Sequence, residues 1–389
     1  MSTRRLTLAE RRRAAISLNG ELAPLRPPTG AFMATLAVVS ALVLVGLVMV
    51  LSASSIVAIN NGGSPWNMFR RQLLWASFGL LAGLAAYQMP YRVWRTLSPW
   101  LFAACLGMMA LPFVPGIGVT VNGARAWVEV SRVGFQPSEA LKVAVIVYLA
   151  SVLDARRDEI HDPQRAFRRA AIVWGLAACA CLAQRDVGAA IVFTCIVVAM
   201  MFVAGVPLRP ILGLVGMSLA GATAVVATSD RLQGRFLAFL HLEESKADQG
   251  YQVWQSLLSI SNGGILGTGA GEGTSKWGYV PLAHSDFIFA VVAEEFGLIG
   301  ATVVLGSFVV LLGTGLRASL RAADPQGALL ASGITSWWCL QAAINIGGVV
   351  GAMPVTGLTL PFISYGGSSL FAVMTASGLL LNVARHPKP

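Results

Sequence analysis

Length and composition place this chain in a membrane. It has 389 residues, of which 56% are hydrophobic and only 12% are charged. A soluble domain carries about a quarter charged residues, so this chain cannot cover itself with a water-facing surface. The apolar runs are long and continuous, which predicts membrane-spanning helices of about 20 residues and excludes the alternating strands of a β-barrel.

We attribute the net charge of +10 to basic loops on the cytoplasmic side of the membrane. The basic residues lie between apolar runs, without the interleaved aromatic residues that stack on bases. We therefore expect membrane lipid as a partner and no nucleic acid.

Ten apolar runs predict an all-α polytopic integral membrane protein with about ten transmembrane helices. In chain order they are Phe32–Ile59, Leu73–Met89, Leu97–Pro112, Glu139–Leu153, Ala170–Ala183, Val187–Val206, Pro210–Thr228, Phe287–Leu316, Gln326–Val350 and Leu360–Val383. Only three residues separate the fifth and sixth runs, which predicts a tight hairpin. Asp186 in this hairpin either pairs with Arg185 or reaches into a cavity.

The distribution of basic residues predicts the orientation. With a cytoplasmic N-terminus, eighteen of the 28 lysines and arginines fall on the inside, so we expect both termini in the cytoplasm. Residues 1–31 then form an Arg-rich cytoplasmic tail, 32–384 the membrane domain, and 385–389 a cytoplasmic end. Within the membrane domain, about 229–286 form one large extracytoplasmic loop, whose aromatic and glycine residues predict an ordered structure.

Asp286 stands where this long loop meets the eighth span, within the run Ala-His-Ser-Asp-Phe. Two roles fit a carboxylate here. Ser285 or Asp286 could cap the helix by accepting backbone N–H bonds, or Asp286 could act as a general base at the membrane surface. Partial burial would raise its pKa toward a useful range. His284 could orient the site or could be an ordinary loop histidine.

Glu294 and Glu295 lie two turns further into the same predicted helix. At 3.6 residues per turn, Glu294 falls about a quarter-turn from Asp286, and Glu295 falls on the opposite side. We therefore expect that the two glutamates do not face one cavity. A buried salt bridge or a polar contact between helices is the favoured interpretation.

Two further pairs of residues are candidates for binding. Arg125 could bind a phosphate through its planar guanidinium, and Trp127 beside it could equally anchor the loop at the membrane interface. Glu139 and Lys142 open the fourth span three residues apart on one helix, and the favoured interpretation is a mutual salt bridge.

Two segments near the end of the chain are rich in glycine or broken by proline. The glycine run 263–273 does not match a phosphate-binding P-loop, because Thr274-Ser275-Lys276 is not Gly-Lys-Ser/Thr and no strand precedes it. The apolar stretch Pro354–Ser369 contains two prolines and several glycines. It predicts a re-entrant or kinked segment within a cavity lined by protein.

Taken together and in this order, these segments resemble the SEDS family of FtsW, RodA and SpoVE. The resemblance covers nearly the whole chain after about Phe32. The segments that carry it are Asn122–Trp127, Phe135–Lys142, Gln184–Gly188, Tyr251–Gly271, Tyr279–Glu295 and Pro354–Ser369.

The resemblance implies a glycosyltransferase of the plasma membrane that polymerises lipid II into glycan strands and releases undecaprenyl pyrophosphate. It implies a class B penicillin-binding protein as partner, with other division proteins, and it assigns Asp286 the role of general base. Arg125, Lys276 or a divalent cation, Mg²⁺ or Mn²⁺, would help the leaving group. The residues that we expect to contact substrate are Arg125, Trp127, Glu139, Lys142, Asp186, Lys276, His284 and Ser368.

The sequence departs from the family pattern at Arg185, where proline is common, and at Leu282, where glutamate is common. Leu51–Ser55 and Gly357–Pro361 resemble the FtsW branch, which predicts a role at the division septum. A RodA-like role in elongation, a lipid II flippase and a scaffold for the cross-linking enzyme stay as alternatives. A flippase would need midplane charges and internal repeats, whereas Asp286 lies at the outer rim.

Overall fold

The computed structural model describes residues 29–60, 62–121, 123–130, 133–155 and 163–386. All ten predicted spans lie within these ranges. The predicted cytoplasmic tail 1–31 lies almost entirely outside the described residues, and so does most of the predicted end 385–389.

The described residues form twelve α-helices and one small sheet. The helices are α1 Gly30–Asn60, α2 Asn67–Gln88, α3 Tyr91–Met108, α4 Pro137–Ala155, α5 Pro163–Ala183, α6 Val187–Val203, α7 Leu208–Ala227, α8 Asp230–Leu240, α9 Tyr251–Gly263, α10 Ile288–Leu320, α11 Pro325–Val349 and α12 Gly367–Arg385. The strands are β1 Gly118–Val121, β2 Ala124–Val130 and β3 Val133–Phe135.

A helix coincides with each of the ten predicted spans. Six of these helices are long and apolar enough to cross a membrane, namely α1, α3, α7, α10, α11 and α12. The fold is therefore mostly helical and has the helices of a multi-pass membrane protein. The last helix begins at Gly367 and not at Leu360 as predicted, because Pro361 and the positive φ of Phe362 (69°) interrupt helical geometry.

The sheet corrects the expectation of an all-α chain. β1, β2 and β3 are antiparallel neighbours in that order, and Val119 stands opposite Trp127. Gly123 turns the chain between β1 and β2 with φ +74°, a backbone conformation that favours glycine. The sheet folds the connection between α3 and α4 onto the α5–α6 hairpin, where the Arg125 N–H donates to the Gln184 carbonyl over 2.9 Å.

Contacts between loops define two ends of the helical bundle. At one end, the Thr29 hydroxyl donates to the Ala384 carbonyl, and Arg92 pairs with Asp324 at 3.3 Å. The two termini of the described chain therefore lie together. The sheet, the α5–α6 hairpin, the segment from α8 to α10 and the segment before α12 gather at the other end.

The inner layer of the bundle is built from α4, α11 and α12. Trp337 and Trp338 of α11 are fully buried, as is Lys142 of α4. α12 packs closely on α2 because both present glycine at the contact, and a Cβ on Gly378 would overlap the Gly83 carbonyl. α7 exposes Leu208, Leu212 and other large apolar side chains, as expected for a helix that faces lipid.

The predicted outer loop of about residues 229–286 contains α8, α9 and a 3₁₀ turn at Ser275–Trp277. The end of α9 continues into a loop that contacts α10, which is broken at Gly297 (φ 65°, ψ −160°). At this break, Leu298 N–H donates to the Gly264 carbonyl over 2.9 Å. Carbonyls of the loop after α9 thus accept the N–H bonds that carbonyls of α10 would otherwise accept, and these bonds fix the loop on α10.

Candidate active site

Asp286 lies two residues before α10 and does not cap it. Phe287 occupies the N-cap position, and no side chain accepts a hydrogen bond from the first turn. The capping role that the sequence allowed for Ser285 or Asp286 is therefore wrong. The Asp286 carboxylate keeps its hydrogen-bonding capacity for another partner.

Three consecutive backbone carbonyls hold this residue in place. The His284 carbonyl accepts from Tyr365 N–H (2.9 Å), the Ser285 carbonyl from the Ser364 hydroxyl (2.6 Å), and the Asp286 carbonyl from Asn345 Nδ2 (2.8 Å). The predicted re-entrant segment before α12 supplies the first two donors. The backbone of Asp286 is thus fixed while its side chain stays free.

The Asp286 side chain is half-buried and lines a small cavity. Most of the remaining wall is apolar, and Asn345 supplies an amide. Asn345 Oδ1 is buried and has no hydrogen-bond partner in the described part of the chain. The lining residues are Asp286, Phe287, Ile344, Asn345, Gly348, Val349, Val355, Thr356, Gly357 and Leu358.

Burial raises the pKa of Asp286 to about 6, because desolvation disfavours the charged carboxylate. The positive charge of Arg235 lowers this pKa and the negative charge of Asp186 raises it. Beside it, burial lowers the pKa of His284, whose ring packs edge-on against Tyr365 with 5.7 Å between centroids. Asp286 is therefore ionised at neutral pH but close enough to titration to exchange a proton.

Asp186 lies in the α5–α6 hairpin, close enough for its charge to act on Asp286. Its carboxylate caps α6 by accepting from Ala189 N–H (2.9 Å) and also accepts from Gln136 Nε2 (3.1 Å). Gln136 N–H in turn donates to the Ser368 hydroxyl over 3.2 Å. The sequence allowed Asp186 either to pair with Arg185 or to reach into a cavity. Among the described residues, its hydrogen bonds point inward and none goes to Arg185.

Glu139 and Lys142 form the predicted salt bridge. Lys142 Nζ lies 2.8 Å from Glu139 Oε1 and 2.9 Å from Gln341 Oε1, and both ionic side chains are buried. Gln341 then donates to the Thr359 carbonyl over 2.8 Å. This network supports the segment next to Asp286 from within the bundle, and substrate contact by Glu139, Lys142 and Ser368 stays a prediction.

Lys276 is placed inside a second ionic cluster. Its Nζ lies 2.9 Å from Glu295 Oε1 and 3.1 Å from the Ser52 hydroxyl, and it also donates to the Gly271 carbonyl. Glu294 accepts from Thr274 N–H (3.0 Å) in the same loop. The salt bridge was predicted. The loop binds both Glu294 and Glu295, and the expectation that the two glutamates do not face one cavity stays a prediction.

Arg125 and Trp127 lie on β2. Arg125 is exposed, and its Nε donates to the Pro112 carbonyl over 3.0 Å. Trp127 is half-buried, with its ring against Gly134. Their contact with substrate stays a prediction.

Sequence reasoning did not identify Arg231 and Arg235 as candidate site residues. It used them only in the count of basic residues that predicted the orientation. They lie four residues apart on α8, and Arg235 Nη1 donates to the Val355 carbonyl over 3.4 Å. A Cβ on Gly357 would lie 3.7 Å from Asp286 Oδ2 and 4.0 Å from Arg235 Nη1. Their i, i+4 spacing in the long outer segment was the available signal.

Among the described residues, no three His, Cys, Asp or Glu side chains are grouped as ligands for a metal ion. The divalent cation that the resemblance implies stays a prediction. The chemistry of the site is assigned to the chain's own residues.

The order of these segments recurs in known proteins. Residues 33–389 match the model of a family described as cell cycle protein, with the members FtsW, RodA and SpoVE. This chain belongs to the FtsW/RodA/SpoVE family. A probable peptidoglycan glycosyltransferase FtsW of Geobacter metallireducens is 39% identical over 348 residues, which cover 90% of this chain and 93% of the relative. Stage V sporulation protein E of Bacillus subtilis is 38% identical over 349 residues, covering 89% and 95%.

Solved structures of the family have the same fold. A chain from a peptidoglycan synthase complex that coordinates polymerization and crosslinking is 30% identical, with a TM-score of 0.73 over 90% of this chain and 96% of that one. The rod shape determining protein RodA of Thermus thermophilus is 29% identical, with a TM-score of 0.65 over 90% and 95%.

Proposed function

We propose that this chain is a peptidoglycan glycosyltransferase that polymerises lipid II at the outer face of the bacterial plasma membrane, with an FtsW-like role in division. The names of its relatives support this assignment. The observation that carries it is the half-buried Asp286 carboxylate, which does not cap the helix. It faces a largely apolar cavity just before the 33-residue apolar helix α10. A lipid-linked sugar would bring its reacting carbon to such a place.

In the proposed reaction, the Asp286 carboxylate accepts the proton of a sugar hydroxyl. The hydroxyl oxygen forms a bond to the anomeric carbon of a second lipid-linked sugar, and the bond from that carbon to the diphosphate oxygen breaks. The electron pair leaves with the lipid diphosphate, whose growing negative charge requires nearby positive charge. The raised pKa of Asp286, about 6, suits a base that works near neutral pH.

The orientation follows from the same proposal. The end of the bundle with the sheet, α8 and Asp286 would lie outside, and the end where Thr29 contacts Ala384 would lie in the cytoplasm. This arrangement agrees with the excess of basic residues on the predicted inner loops. All ten of the coinciding helices would then cross or enter the membrane.

A cross-linking partner is part of the proposal. The structurally similar chain belongs to a peptidoglycan synthase complex of polymerization and crosslinking. We therefore expect a class B penicillin-binding protein to bind this chain, together with other proteins of the division septum.

The test is glycan polymerisation by the full-length protein in vesicles with purified lipid II and its co-purified partner. We expect Asp286→Asn to lower the rate by about 10²- to 10⁴-fold, the usual contribution of a general base. Asp248→Asn is the matched control, because Asp248 is an exposed carboxylate of the same outer segment. Equal expression and thermal unfolding of the variants must be shown first.

Polymer from wild type and Asp248→Asn, but not from Asp286→Asn, would support the assignment. Equal rates in all three would remove Asp286 as the base. A wild-type protein that moves lipid II across the vesicle membrane without forming polymer would favour a flippase instead.

A further inference from the structure

Lys276, one of the two positive charges that the sequence offered for the leaving group, is already compensated by a carboxylate. The three N–H donors of Lys276 bind Glu295, Ser52 and the Gly271 carbonyl, and the side chain is only 4% exposed. Arg125 donates to the carbonyls of the loop before β1. Lys276 therefore has no free donor for a diphosphate at Asp286, and Arg125 has part of its guanidinium bound to backbone carbonyls.

Arg231 and Arg235 have positive charge without a compensating carboxylate. Within the described residues, neither guanidinium lies within 4.0 Å of an Asp or Glu oxygen. Both are half-buried, and their like charges lie one helical turn apart. Burial lowers the pKa of both arginines, and the charge of Arg231 further lowers the pKa of Arg235. A pair of this kind is stabilised by binding an anion.

The pair forms a row that ends at Asp286. Arg231 Nη1 lies 2.8 Å from the position of a Cβ on Gly123, so it abuts the turn of the sheet. Arg235 follows one turn later, and the position of a Cβ on Gly357 lies 4.0 Å from its Nη1 and 3.7 Å from Asp286 Oδ2. An anion held by the row would lie beside the carboxylate, where a leaving group has to be.

Arg235 also borders a second, larger cavity, which shares Val355 with the cavity at Asp286. Phe239, Leu242 and Val253 give it apolar walls. On α8, Phe236, Leu237 and Leu240 are exposed apolar side chains of a helix that also carries two arginines. Such a helix lies at the membrane interface, so the pair meets phosphate groups at the depth of lipid headgroups.

We propose that Arg231 and Arg235 bind the diphosphate of the lipid-linked sugar, each guanidinium taking one phosphoryl group. The planar guanidinium donates two parallel N–H bonds to phosphate oxygens, and two of them one turn apart match two linked phosphates. The proposal rests on the proposed glycosyltransferase function and specifies the cation that receives the leaving group.

Binding is tested separately from turnover in the full-length Asp286→Asn protein in lipid nanodiscs. Two probes, a polyprenyl diphosphate and inorganic pyrophosphate, are titrated by calorimetry. We expect Arg231→Gln and Arg235→Gln each to weaken binding of both probes by about tenfold or more, since charge-assisted bonds are lost. Lys246→Gln, which removes one positive charge from the same outer segment, should leave both affinities unchanged.

The double variant Arg231→Lys/Arg235→Lys keeps the charges but loses the planar fork. It should bind more tightly than the double glutamine variant and more weakly than the parent, which a fold defect would not produce. Equal binding by the parent and the double glutamine variant would overturn the proposal. Weakened binding of inorganic pyrophosphate alone would also overturn it, because the lipid-linked ligand would then use other residues.

The two proposals can fail independently. Loss of diphosphate binding in the arginine variants supports this site even if Asp286→Asn still polymerises lipid II. In that case Asp286 would not be the base, but the cation would still be assigned.

Discussion

The carboxylate pair Glu294 and Glu295 in α10 and the single carboxylate of Asp286 before it differ in how their charge is compensated. Glu294 and Glu295 are almost fully buried and accept hydrogen bonds from one loop, with Lys276 ion-paired to Glu295 at 2.9 Å. Asp286 is half-buried and has no ion pair within 4.0 Å among the described residues. The charge of Glu295 is compensated within the chain, whereas Asp286 has no compensating cation within 4.0 Å among the described residues.

The largest effect on stability is expected at the ion pair of Lys276 and Glu295. Lys276→Met would leave Glu295 buried and uncompensated, which should lower the free energy of unfolding by about 3–5 kcal/mol. Asp286→Asn should cost far less, since no ion pair is lost. Thermal unfolding of the two variants in the same detergent measures the difference.

The comparison between this ion pair and Asp286 would fail if Lys276→Met unfolded no earlier than Asp286→Asn. The double variant Lys276→Met/Glu295→Gln provides a control, because it removes both charges and should recover part of the loss.

Asn345 sharpens the comparison at Asp286. Its Nδ2 donates to the carbonyls of Asp286 (2.8 Å) and Leu358 (2.6 Å), which joins α10 and α11 to the segment before α12. Asn345→Ala should lower the polymerisation rate by about 10- to 100-fold through misplacement of Asp286. Unfolding should change much less than the rate, and an unchanged rate would show that Asp286 is positioned without Asn345.

A smaller effect is expected at Gly357, which separates Arg235 from Asp286. Its φ of +76° disfavours any residue with a Cβ, so Gly357→Ala should cost about 1–2 kcal/mol of stability. The added methyl group also enters the gap between the two charges. Diphosphate binding should weaken in this variant, whereas Gly216→Ala in α7, where a Cβ meets open space, should bind normally.

The helices at the ten predicted spans could be predicted because long apolar runs in a sequence are typical of membrane helices. The broken α10 could not, since no proline marks Gly297 and the break depends on hydrogen bonds from Leu298 to the distant Gly264. The small sheet had a signal in its Asn-Gly turn, but its strands of three to seven residues are too short to stand out.

The candidate site was predictable only in part. The motif around Asp286 identified its carboxylate as a candidate base. That this carboxylate does not cap α10 depends on the residue at which the helix begins, which the sequence did not predict. The family resemblance implied a leaving group that needs positive charge, and Arg125, Lys276 or a divalent cation was expected to supply it. Arg231 and Arg235 were overlooked, because the approach of α8 to Gly357 is a tertiary contact that spacing does not reveal.

The central claim is that an ionised Asp286 beside Arg235 acts as the base, and the pH dependence of polymerisation tests it most directly. The pKa of Asp286 is raised to about 6, so the rate should fall as the pH drops through about 6 and the carboxylate is protonated. Arg235 lowers that pKa, so in Arg235→Gln the fall should move to higher pH, while Lys246→Gln should not move it. A rate that stays level through pH 6, or the same midpoint in wild type and Arg235→Gln, would contradict the account.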